Sequence, residues 1–436
     1  MSVLILLLSI ALLLFLIMYL KINAFIALVL VSLFVGIGEG MELTAILKSM
    51  QKGMGDTLGS LAMVLGFGVM LGKMLSETGA VQQISSGMIR FFGTKNIKLA
   101  MVMTGFVVGI AMFYNAGFIV LLPLVFTVAS QTGLSLLYIA VATASSLSVT
   151  HCFLPPHPGP SSIAVQLKAD IGKVLLYGIT VAIPAITLAG LVFPDFLKKI
   201  KTLPPAGLFE EKIFRKEELP SFGLSLFVAL IPVLLMAVAT LTELTVHEKN
   251  AFTKIIHFIG DPGMALLIAV LTAVFTLRKK QPMKNIMDKL SDSVGSIALI
   301  LLIIGAGGAF KQVLTDSTMS KTIAENLQNT HLSPLLLGWL IATFIRIALG
   351  SATVAGLTAA GIIQPMLGTM SVNAELMVLA IGAGSVMCSH VNDTGFWMFK
   401  ESFGLTLPQT FRSWSLMETI IGITGLAGVL ILDIFI

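Results

Sequence analysis

Charge is scarce in this chain of 436 residues: 11% of its side chains are Asp, Glu, Lys or Arg, where a soluble protein carries about a quarter. That shortage excludes a water-soluble globular fold. Cysteine is scarcer still, and two residues, Cys152 and Cys388, are too few for a disulfide framework. No HExxH segment occurs, which removes the commonest helical signature of a zinc hydrolase. The N-terminal run lacks the basic start and small-residue cleavage site of a secretory leader, so it reads as a retained span. What is left is 56% hydrophobic.

The hydrophobic residues come in runs. "SVLILLLSIALLLFLIMYL" at 2–20 is one, and about 20 such residues cross a bilayer. Similar runs recur to the C-terminus, so the sequence reads as an all-α, multi-pass protein of the cell (inner) membrane whose partner is the lipid bilayer. The net charge of +5 is no sign of nucleic acid, because the excess sits in loops 197–220 and 278–289. There it reads as topology, with both loops cytoplasmic.

Loop 197–220 divides the chain near its middle, and the halves match. "GDTLGSLAMV" (55–64) pairs with "SDSVGSIALI" (291–300), "LAGLVFPDF" (188–196) with "LAGVLILDI" (426–434), and His151 falls opposite His390. The predicted organisation is an N-terminal half 1–196 containing repeat 24–195, the cytoplasmic linker 197–220, and a C-terminal half 221–436 containing repeat 263–433. Each repeat reads as a span, an amphipathic stretch (41–56; 279–292) and a further span (57–75; 294–314). An apolar hairpin broken at its middle follows (98–130; 333–370), then an interrupted segment (134–171; 373–410) and a last span. If both hairpins re-enter the side they left, the repeats are inverted. That gives ten full spans, two re-entrant hairpins and both termini outside, the pattern of a secondary transporter.

Four places break the apolar pattern at equivalent positions: "FYNAGFIV" (113–120), "THCFLPPHPGP" (150–160), "LGSATVAG" (349–356) and "CSHVNDTGFW" (388–397). Non-helical backbone at membrane depth is tolerated only inside protein or beside a wet cavity. Helix ends exposed there offer N–H groups to an anion and carbonyls to a cation or hydroxyl. The candidates for substrate binding are therefore Asn115, His151, His157, Ser351, Thr353, His390, Asn392 and Thr394. Arg346 joins them, as a fork for a carboxylate or as a structural partner of Asp393. Asp393, His151 and His390 are candidates for proton coupling, since a carboxylate inside a membrane is costly and imidazole titrates near neutrality. Lys73 and Lys311 read as snorkelling to the interface. No cofactor or metal is required, although His151, Cys152, His157, Cys388 and His390 leave an intramembrane metalloenzyme as a rival, and an anion channel as another.

"HCFLPPHPGP", "ALGSATVAG", "GAGGAFKQVLTDS" and "SHVNDTGFW" resemble the signature segments of the gluconate permease (GntP) family of sugar-acid:proton symporters. The similarity covers essentially the whole chain. It implies import of gluconate, a related aldonate or hexuronate, or, as in one branch of the family, D-serine. It also implies inverted repeats with re-entrant hairpins, and the dimeric arrangement frequent in the ion-transporter superfamily. Gluconate transporters of the family carry Glu within "FYEVGF" where this chain has Asn115. Proton and sodium coupling remain alternatives at this level.

Overall fold

The computed structural model describes residues 2–198, 200, 214–246, 250–278, 281–295, 297–317, 333–367, 372–391 and 393–436. Among them every regular element is helical. Most of the linker 197–220, and Asn392, lie outside the described residues.

The first half begins with α1 (Ser2–Leu14) and α2 (Ala24–Gly38). It then enters α3 (Leu43–Glu77), a single helix of 35 residues. The sequence predicted a division near residue 56, where the polar pattern of 41–56 gives way to an apolar run. No division occurs, because the helical period never lapses. Buried positions Ile46, Met50, Gly53, Thr57, Leu61, Val64, Gly68, Leu71 and Leu75 recur every three to four residues through the change in polarity. At 1.5 Å per residue the helix is about 50 Å long, well beyond the roughly 30 Å hydrocarbon layer.

After α4 (Ala80–Phe92) come α5 (Ile97–Ala111) and α6 (Tyr114–Thr132), separated at Met112–Phe113. Then α7 (Leu136–Phe153) and α8 (Pro158–Leu167) flank the Pro-Pro break, and α9 (Ile171–Ile186) continues through irregular turns to Leu197. The second half opens with α10 (Phe222–Thr245), α11 (Ala251–Gly260) and α12 (Pro262–Leu277). It continues with α13 (Met283–Gly295) and α14 (Ala298–Asp316). The broken hairpin is α15 (Pro334–Leu349) and α16 (Ala352–Leu367). Helix α17 (Ala374–Val386), the short α18 (Thr394–Ser402), α19 (Leu407–Thr410) and α20 (Leu416–Leu432) complete the chain.

Ten full crossings were expected from the sequence. Among the described residues seven helices are long and apolar enough to cross, or eight if the bent pair α11–α12 is one span. Runs 2–20, 24–40 and 373–410 yield shorter apolar helices, while the hairpin limb Thr94–Ala111 qualifies by length. Polarity breaks and turns shorten helices that apolar composition alone would extend.

Segment α7–α8 is the centre of the molecule. Its most apolar window is 94% buried, against 33–61% for the other six long helices. Small residues make this possible: Ala140, Ala142, Ala144, Ser145 and Ser146 let α5 and α9 approach closely. Helices of the two halves pack across one another, α2 against α14 and α12 against α3. The closest approach joins α3 to α14, where a Cβ on either Gly53 or Gly308 would collide with the other's carbonyl. Lys73 does not merely snorkel: its ammonium lies 2.9 Å from Glu77, which Lys289 of α13 also meets at 2.8 Å.

Gly53→Ala should therefore cost about 1–3 kcal/mol by overpacking and lower the thermal midpoint of the purified protein in detergent. Gly59→Ala, on the same helix but facing open space, should leave that midpoint level or raise it, as Ala is the better helix former.

Candidate functional site

All four predicted breaks are real interruptions. Each one starts a new helix: α6 at Tyr114, α8 at Pro158, α16 at Ala352 and α18 at Thr394. Local chemistry dictates the stops. Pro158 occupies the first turn of α8, where its missing N–H would have had no partner anyway. Gly350 adopts φ 77°, and its N–H closes α15 on the Arg346 carbonyl at 2.9 Å. Asp393 caps α18, accepting the Gly395 N–H at 2.8 Å. The end of α7 is held by backbone contact, since a Cβ on Gly382 would overlap the Cys152 carbonyl.

The four starts converge on one cavity of about 450 Å³, within the range of small-molecule sites. First-turn residues of all four helices line it: Tyr114, Asn115 and Ala116; Pro158; Ala352, Thr353 and Val354; Thr394 and Gly395. The first N–H groups of a helix have no partner within it and carry partial positive charge. Helix starts gathered on one space favour an anion, although Pro158 contributes no N–H and Asp393 already takes that of Gly395. The opposite wall is apolar, made by Val69 of α3 and by Ile297, Ile300 and Ile303 at the start of α14.

Arg346 adds the full positive charge. It is 3% exposed and lies on the last turn of α15. One terminal nitrogen, Nη2, donates to Asp393 Oδ2, so the structural pairing the sequence offered is present. The fork is not used up by it, because among the described residues Nε and Nη1 are buried without a hydrogen-bond partner. Asp393 is held from three sides: by Arg346, by the Ser389 hydroxyl, which donates to Oδ2, and by the Gly395 N–H. Trp414 Nε1 in turn donates to Ser389 Oγ at 2.7 Å, fixing the hydroxyl that fixes the carboxylate.

Of the residues singled out from sequence, Asn115, His151, Arg346, Ser351, Thr353, Asp393 and Thr394 line this cavity. His157 and His390 do not. The His157 ring is buried behind it, Nε2 against the Gly109 carbonyl of α5, and 5.5 Å between centroids from His151. The His390 ring meets the Ile347 carbonyl at 2.8 Å. Sequence reasoning missed Tyr114, Ser148, Trp414 and Glu418, all of which line the cavity. Glu418 did carry a signal, being the one acidic residue between Glu401 and Asp433 in an apolar stretch. Among the described residues no three His, Cys, Asp or Glu side chains gather as a metal site would require.

A cavity ringed by the starts of four interrupted helices in an apolar helical protein is the arrangement a transporter needs. Solved structures agree on the fold: the YdaH transporter of Alcanivorax borkumensis superimposes with a TM-score of 0.63 at 15% identity, covering 90% of this chain and 89% of its own. The antimetabolite efflux pump MtrF of Neisseria gonorrhoeae gives 0.65 at 16% identity, covering 90% and 84%. The family follows from sequence. The chain matches the GntP family permease profile over residues 1–435, and it belongs to that family. It is 52% identical to a high-affinity gluconate transporter of Escherichia coli over 430 residues, 98% of each chain. It is 51% identical to the Gnt-II system L-idonate transporter of the same organism, over 98% of this chain and 97% of that one. A gluconate permease of Bacillus subtilis is 45% identical across the full length of both. This protein is therefore a multi-pass membrane permease.

Asp393→Ala leaves the Arg346 guanidinium buried without its counter-ion and should cost about 3–5 kcal/mol. The double variant Arg346→Met/Asp393→Leu should recover most of that loss in a thermal unfolding experiment while failing to bind or transport any carboxylate.

Proposed function

We propose that this permease imports gluconate or a closely related sugar acid across the inner membrane by symport with protons. The observation that carries the reading is the convergence of four helix starts and a partly free guanidinium on one cavity. The substrate carboxylate takes the Arg346 Nε and Nη1 donors and the helix-start N–H groups. Its hydroxyls are met by Asn115, Ser351, Thr353 and Thr394, side chains that donate and accept. The names borne by the relatives supply the substrate class.

Proton coupling follows from charge. A lone anion moving inward works against an inside-negative potential at about 2.3 kcal/mol per charge per 100 mV. One co-transported proton cancels that charge, and further protons drive accumulation. Titratable groups at the cavity, His151 and Asp393 among them, make such coupling feasible. Asp393 also orients Arg346, so losing its charge alters both ion balance and substrate grip. His390 lies on the same break and remains a second-line candidate.

The halves act as inverted repeats in this reading, supported by the crossed pairing of α2 with α14 and α12 with α3. Loop 194–220 is then cytoplasmic. A homodimer belongs to the same reading, on the family resemblance alone.

Purified protein in liposomes should accumulate labelled D-gluconate when the lumen is made alkaline, with excess L-idonate competing. A protonophore should abolish that accumulation. Uptake that ignores the protonophore and follows an imposed sodium gradient overturns proton symport, and failure of every sugar acid to compete overturns the substrate class.

A further inference from the structure

One titratable side chain at the cavity has no part in the anion-binding geometry. Glu418, on the first turn of α20, is 2% exposed. The Ser148 hydroxyl of α7 lies 2.6 Å from one carboxylate oxygen and 2.8 Å from the other. Among the described residues Glu418 has no other hydrogen-bond partner and no ion pair. Asp393, by contrast, has a guanidinium, a hydroxyl and a helix-start N–H. A carboxylate facing one neutral donor inside a membrane is expensive as an anion, and a proton is the smallest species that neutralises it.

Resting on the symport reading above, we infer that Glu418 is the proton-binding site of this permease and Ser148 its hydrogen-bond partner. The carboxylate takes a proton from water on one side of the membrane and returns it to water on the other. No bond other than O–H forms or breaks. Serine suits both states, because its hydroxyl donates to the carboxylate and accepts from the carboxylic acid. Arg346, Asp393 and Glu418 line the same cavity, so the arrival of a substrate anion at Arg346 changes the field at the proton site. That is a direct electrostatic link between the two cargoes.

Other groups near Glu418 are accounted for. Helix α7 brings His151 and Cys152, and α6 brings Tyr114. Helix α17 carries Glu375 at its opposite end, where it accepts the Asp170 N–H at 3.0 Å. The end of α17 near Glu418 is marked by Ala383 and Met387, which meet Gly422. On α9, Val181 meets Gly428, which places Lys173 and Tyr177 further from Glu418 along the helix.

The test compares wild type, Glu418→Gln and Ser148→Ala in liposomes with labelled D-gluconate, both for accumulation driven by a pH gradient and for exchange against internal unlabelled gluconate. Glu418→Gln should lose gradient-driven accumulation yet keep exchange, and that exchange should no longer vary with pH. Ser148→Ala should keep accumulation with its pH midpoint displaced. Gradient-driven accumulation by Glu418→Gln overturns the assignment. So does loss of exchange in monodisperse Glu418→Gln of normal thermal stability, which would make Glu418 a binding residue. An unmoved pH profile in Ser148→Ala overturns the pairing. If wild type exchanges gluconate but never accumulates it on a pH gradient, the symport reading itself fails and this inference with it.

Discussion

Every backbone N–H and C=O at membrane depth must find a partner, and the rest of this structure depends on how four interrupted helices meet that demand. The carbonyl ends of the breaks are closed by protein: Gly350 turns back on Arg346, and Gly382 lets the Cys152 carbonyl approach its helix. The N-terminal ends line a shared cavity, where Asp393 caps α18, Ser351 caps α16 and α8 opens on a proline. A polar hole in an apolar protein is thus built where the first turns of broken helices meet. Burial of α7–α8 on nearly all sides holds one of those ends at the centre, and the small residues of α7 make that burial sterically feasible.

The same demand explains what was legible in the sequence. Prolines, glycines and polar residues inside apolar runs have few other reasons to exist, so Asn115, His151, Ser351, Thr353, Asp393 and Thr394 could be named from their neighbours and do line the cavity. Residues deep within regular helices gave no such local sign. Ser148 looks like an ordinary helix position and reaches the cavity only through the face that packing turns inward, whereas Tyr114 lies inside a predicted break beside Asn115. His390 shows the opposite failure: it matches His151 in sequence register, yet its ring is engaged by the Ile347 carbonyl. Helix limits were misread where polarity and period disagree, as in α3, whose buried stripe passes unbroken through a charged stretch.

Charge in the cavity is organised in two tiers. Arg346, Asp393, Ser389 and Trp414 form a continuous chain of donors and acceptors that holds the guanidinium in place. Glu418 and Ser148 form a separate pair from α20 and α7. Asn115 adds no charge to the part of the cavity lined by the first turn of α6. A polar amide at that position still offers both donor and acceptor to a hydroxyl.

The apolar wall has a mechanical consequence. Val69, Ile297, Ile300 and Ile303 belong to α3 and α14, or the turn before it, and these two helices touch backbone to backbone through Gly53 and Gly308. Their tight contact makes them one stiff plate. Those four side chains present no donor or acceptor, only methyl groups. Movement of the broken helices along that face would break no side-chain hydrogen bond with it, so its friction would come from dispersion alone, spread thinly over a smooth aliphatic face.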